Sequence, residues 1–98
     1  KFREKKLINR YRKGRAFEYR LIKLYRDTGY DPVIRSSGSH GPFDIIAFNE
    51  KSVTLTQCKS RKPSRKEIEA LKKIKIAENC SKWIVWPEKD KIKNVRCD

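Results

Sequence analysis

The stretch 53-VTLTQCKS-60 alternates apolar and β-branched residues and then ends in Gln57 and Lys59, an amide and an ammonium. Period-two alternation puts Val53, Leu55 and Gln57 on one face of a strand and Thr54, Thr56 and Cys58 on the other. A strand of this composition heads into a core, so the polar groups at its end mark either a sheet edge or a place where a polar ligand meets the sheet. Just upstream, Asp44-Ile45-Ile46-Ala47-Phe48 is nearly all apolar, and Asn49, Glu50 and Lys51 are turn residues. Two β-rich runs about a short polar turn predict an antiparallel hairpin. There the start of the first strand lies beside the end of the second, which brings Asp44 to Gln57 and Lys59.

Upstream of the hairpin, Phe17, Leu21, Leu24 and Thr28 recur at helical spacing, with Tyr25 widening the stripe. This predicts an amphipathic helix from about residue 14 to 28, stopped by Gly29. Residues 1–13 form a basic arm or an extension of that helix, and 14–98 the domain proper. Pro32 to Arg35 reads as a short strand leading into the loop 36-SSGSHGP-42. Downstream, the basic linker 59-KSRKPSRK-66 precedes a Ser64/Glu67 capping box. The helix it opens is predicted to reach about Asn79, with Ile68, Leu71, Ile74 and Ala77 on one stripe. Trp83 to Trp86 then forms a compact strand that Pro87 ends. The two tryptophans fall on opposite faces, one in the core and the other toward a partner surface. The order of elements predicts a single small α/β domain, a central mixed β-sheet flanked by helices.

Charge is the strongest statement of the composition: 26 Lys+Arg against 12 Asp+Glu give +14. Residues 1–30 carry eleven basic and three acidic groups, 31–60 three of each, and 61–98 twelve and six, so a neutral middle lies between two cationic ends. Such an excess points to a polyanion as partner. No apolar run approaches the ~20 residues that cross a bilayer, and no stretch has the basic, apolar and small-residue order of a signal peptide. The expectation is a soluble, intracellular, cytoplasmic and nucleoid-associated protein with no membrane partner. The lack of any Met suggests a numbering that starts past the natural beginning. Three cysteines without a C-x-x-C pair indicate neither a disulfide framework nor a zinc knuckle, and Cys58 and Cys80 read as buried thiols. An RNA-binding module is disfavoured because aromatic pairs of the RNP type are missing.

Glu18 on the first helix, Asp44, Gln57 and Lys59 form a set suited to phosphodiester hydrolysis. Oxygen donors hold a divalent cation, and an ammonium neutralises charge on the phosphate. Each residue also has a plainer reading. Glu18 pairs with a surface Arg, Asp44 starts a strand, Gln57 is a spectator, Lys59 is a solvated charge, and His40 is a loop residue against phosphate or solvent.

The run 14-GRAFE-18, then 35-RSSGSHG-41 before Asp44, then 57-QCK-59 resembles the archaeal Holliday junction resolvases of the PD-(D/E)XK nuclease superfamily. The resemblance implies a restriction-endonuclease-like fold, a homodimer, and Mg²⁺-dependent cleavage of four-way DNA junctions, with Mn²⁺ as a substitute. It also implies catalytic roles for Glu18, Asp44, Gln57, Lys59 and Ser39, with Asp44, Gln57 and Glu18 as the metal set. DNA contacts then fall to Arg15, Arg20, Arg35, Ser36, His40, Arg61, Lys62 and Arg65. Pro42 and Phe43 lengthen the loop relative to that pattern. Gln57 departs from it too, since Glu is usual there and an amide brings an oxygen without a charge. A binding-only relative and a restriction or repair nuclease of the same superfamily are the alternatives.

Overall fold

The structure is a computed structural model that describes residues 2–36 and 41–98, with side chains of the first helix from Lys13 onward. In chain order the elements are α1 (Phe2–Asp27), β1 (Val33–Arg35), β2 (Ile45–Phe48), β3 (Val53–Cys58), α2 (Arg65–Lys72), β4 (Cys80–Glu88) and β5 (Lys91–Arg96). The strands form one sheet in the order β1-β2-β3-β4-β5. β3 and β4 are parallel and the other neighbours antiparallel, so the sheet is mixed. A parallel step needs a crossover, and the segment holding α2 provides it. Each helix covers one face. Leu21 and Ile22 of α1 pack on Val33, Ile45, Ala47 and Val85, whereas Leu71 of α2 packs on Ile84, Trp86 and Cys97. No helix among the described residues is long and apolar enough to cross a membrane.

The hairpin forms as its sequence requires. Ile45 pairs with Thr56 and Phe48 with Val53, and Asn49 makes the turn by accepting from the amides of Lys51 and Ser52 through Oδ1. Tyr25 ties α1 to this sheet, its hydroxyl lying 2.6 Å from Thr56 Oγ1.

Elsewhere the structure departs from the sequence expectations, each time for a local reason. The seam of α1 is shifted: Ile22 is buried, while Leu24 is 43% exposed. Thr28 is exposed, and its hydroxyl turns back to the carbonyls of Leu24 and Tyr25. Gly29 then ends the helix at φ +100°, a conformation that favours glycine.

The second helix stops at Lys72 rather than near Asn79, and Ala77 is exposed. The stop is made by Lys82, a β4 residue only 2% exposed. Its Nζ donates to the carbonyls of Leu71 at 2.7 Å and Lys72 at 3.0 Å, and to that of Ile74. A buried ammonium thus takes the carbonyls that a longer helix would have used.

Pro87 does not end β4. The β3 ladder closes at Cys58↔Val85, so Pro87 lies past the end of β3, where its missing N–H has no partner to deprive. β5 was not anticipated. It is a mostly exposed edge strand reached through a tight turn in which Lys89 takes φ 58°, where Gly or Asn would have signalled the reversal.

Both tryptophans pack within the chain, on opposite faces. Trp86 is buried beside Leu71, and Trp83 packs on the α1 side under Arg96, whose guanidinium carbon lies 5.6 Å from the ring centroid. Of the thiols it is Cys97 that is fully buried, while Cys58 and Cys80 are half-buried.

Candidate active site

Asp44 sits where β2 and β3 part. Its amide donates to Thr56 O at 2.8 Å, and its Oδ2 accepts from the Cys58 amide at 2.7 Å. The carboxylate thereby stands in for one more rung of the ladder and is fixed in place by the strand it faces. Continuing the register from Ile45↔Thr56 sets Asp44 opposite Gln57, on one face of the sheet. Among the described residues, Asp44 Oδ1 and the Gln57 side chain have no hydrogen bond.

Glu18 belongs to the α1 side. Its Oε1 accepts from Arg35 Nε at 3.0 Å, with both side chains mostly shielded. The Arg35 guanidinium also lies 5.2 Å from the Tyr19 ring centroid. A short β1 ending in Arg35 and a helix carrying Glu18 and Tyr19 thus lock together at the mouth of the site.

Lys59 follows β3 directly. Its amide donates to Val85 O at 2.9 Å, anchoring the residue to β4. Its ammonium meets Glu67 Oε2 at 2.5 Å. Glu67 is the N3 residue of α2: its Oε1 accepts from the Ser64 amide at 2.9 Å, and its own amide donates to Ser64 Oγ at 3.2 Å. The Lys59 ammonium, followed by the Ser64 amide and the Ser64 side chain, holds the Glu67 carboxyl well below its ordinary range, at about 2.

Lys59 borders two hollows. One of about 550 Å³ is lined by Gly14, Phe17, Glu18 and Cys58. The other, of about 180 Å³, is lined by Pro42, Gln57, Glu67 and Leu71. The four expected residues are therefore gathered about the ends of β2 and β3, with Lys59 between Glu18 on one side and Gln57 on the other. Among the described residues no three His, Cys, Asp or Glu side chains are placed to hold a metal ion. The Cys58 thiol between the strands is pushed well up, first by burial and then by the charges of Asp44 and Glu18, so it stays neutral and is no nucleophile.

Ser39 and His40 lie outside the described residues. Ser36 is half-buried, its amide donating to Asp44 O at 2.9 Å, which ties the start of the loop to the site. Arg15, Arg20, Arg61, Lys62 and Arg65 are exposed. Arg35 instead has Glu18 as a carboxylate partner. Glu67 was missed as a site residue. Its S-x-x-E spacing announces a cap, and nothing in the sequence says that the cap's second oxygen faces Lys59.

A mixed five-stranded sheet with one helix on each face, and an Asp and a Lys at the edge where two central strands part, defines a domain of the restriction-endonuclease-like class. Within that class the chain belongs to the archaeal Holliday junction resolvase (Hjc) family, whose family model matches residues 9–91. A curated relative, the crossover junction endodeoxyribonuclease Hjc of Methanocaldococcus jannaschii, is 42% identical over 52 residues, which are 53% of this chain and 38% of the relative. The chain thus covers well under two thirds of that relative's length. No solved structure matches.

Proposed function

We propose that this chain is the nuclease core of an endodeoxyribonuclease that resolves four-way DNA junctions, acting as a homodimer with Mg²⁺ or Mn²⁺. The observation that carries the reading is Asp44, a carboxylate pinned by the Cys58 amide through one oxygen and standing opposite Gln57 in the strand register, in a family of junction resolvases. Two-fold symmetry in a homodimer sets two such sites on one branched substrate.

The donor set fits a hard cation held with help. Asp44 Oδ1 and the Gln57 carbonyl oxygen are the residues that would hold it, and Mg²⁺ commonly binds through one or two carboxylates while substrate phosphate and water complete its shell. Once bound, the cation supplies polarisation of the phosphoryl group and a lowered pKa for water. The protein's own side chains do the rest. Asp44 orients by its fixed geometry, Lys59 offsets negative charge at the phosphate, and Arg35 holds Glu18 in place at the wall of the larger hollow. The exposed cations Arg15, Arg20, Arg61, Lys62 and Arg65 engage the DNA backbone, giving affinity that falls with salt and carries no sequence preference.

A second reading is favoured by one observation, that no three acids converge among the described residues: a junction-binding protein without cleavage. Replacing Gln57 by Glu separates the two. In single-turnover cleavage of a four-way junction titrated with Mg²⁺, Gln57→Glu should lower the half-saturating metal concentration by at least about tenfold, the lower end of what even outer-shell partners of a ligand are worth. An unchanged metal titration would remove Gln57 from the site. Cleavage appearing only in the Glu variant would favour the binding-only reading.

A further inference from the structure

We propose that Glu67 is a positioning residue for Lys59, supplying from α2 the carboxylate that β3 lacks at Gln57. The inference rests on the reading that Lys59 serves the phosphate. It begins with an electrostatic problem: Lys59 opens a run that also holds Arg61, Lys62, Arg65 and Lys66, and no acidic residue occurs between Glu50 and Glu67. A lysine on a four-carbon stem in such company is driven outward by like charge and holds no fixed direction.

Glu67 solves this, because it is itself immobilised. Its Oε1 is taken by the Ser64 amide and faces Arg61 Nη1 at 3.7 Å, which leaves Oε2 directed at Lys59 Nζ, 2.5 Å away. Exposed ion pairs usually lose their gain to the ordering of two long side chains. Here the capping box has already ordered one of them, and the pair is part-shielded, the two side chains being 31% and 26% exposed. The helix that carries Glu67 is in turn fastened at its other end by Lys82. Glu67 lines the hollow shared by Gln57 and Lys59, so its charge borders the same hollow that a strand carboxylate at position 57 would border.

Glu67→Gln isolates the charge, since Gln keeps the length and serves in a capping box as Glu does. Ser64→Ala is the control: it removes the hydroxyl of the box and leaves the Ser64 amide bond to Glu67 and the Lys59 pair in place. Two readouts are needed, the single-turnover rate on a saturated four-way junction and the ¹H–¹⁵N signal of the Lys59 ammonium in the free protein. For Glu67→Gln the rate should fall about ten- to hundredfold, the cost of a misplaced group, with the junction Kd changed little. Its Lys59 signal, resolved in the parent, should merge with those of solvated lysines. Ser64→Ala should keep both. A parental rate in Glu67→Gln, an equal loss in Ser64→Ala, or the same Lys59 signal in parent and Glu67→Gln overturns the proposal. If the parent itself fails to cut, the functional reading falls, and the Lys59 signal alone decides for or against positioning by Glu67.

Discussion

Asp44→Asn is expected to lower junction cleavage by on the order of 10³-fold while leaving junction affinity nearly unchanged. The geometry explains both halves of that result. Asn retains a carbonyl oxygen that can accept from the Cys58 amide, the bond that fixes the side chain at 2.7 Å in the parent. The NH₂ group then falls where Oδ1 stood, and a donor in that place repels a cation instead of holding it. The split between β2 and β3 keeps its shape and the basic surface keeps its charge, so binding survives. Cleavage and binding measured on the same junction check this, and equal loss of both would show that Asp44 is a structural residue of the hairpin.

The second large effect lies away from the chemistry. Lys82→Met should cost about 3 kcal/mol, because the Lys72 and Ile74 carbonyls lose their donor, while Leu71 O keeps the Ile74 amide, and a buried acceptor left unpaired carries a penalty of roughly 1–3 kcal/mol. For a domain of this size that corresponds to a melting point lower by roughly 12–24 °C. Met matches the length and apolar stem of Lys, so the change is confined to the ammonium and the carbonyls of Leu71, Lys72 and Ile74 that it serves. Thermal unfolding followed by circular dichroism is the measurement. A midpoint within a degree or two of the parent would mean that water replaces the ammonium at no cost. Since α2 carries Glu67, the same variant should also loosen Lys59.

What the sequence made legible follows from how local each signal is. The hairpin was readable because its alternation, its Asn49 turn and its polar end all lie within residues 44–59 and agree. That local consistency also set Asp44 beside Gln57, and the Ser64/Glu67 box gave the start of α2 to the residue. The end of α2 was not readable, because its cause is Lys82, ten residues downstream of Lys72 and on another element. A lysine in a strand pattern signals exposure, and only the fold shows it buried under a helix terminus. β5 was hidden for a related reason: as an edge strand with exposed lysines it has no apolar pattern, and Lys89 at φ 58° gives no turn signal. The pairs Arg35 with Glu18 and Lys59 with Glu67 join residues from different elements, so periodicity could nominate the partners singly but not together. Gln57 is the one irregularity visible at both levels, an uncharged residue in the sequence and a site short of acids in the fold.

The central claim is that this edge of the sheet cuts branched DNA with a divalent cation. Its most direct test is incubation of the purified protein with an end-labelled immobile four-way junction and a matching linear duplex, in Mg²⁺, Mn²⁺ or EDTA, with the nicks mapped on every strand. The account predicts paired, symmetric nicks in the junction, present with either metal, abolished by EDTA and absent from the duplex. Junction binding without a nick under any condition, or equal cutting of the duplex, would contradict it.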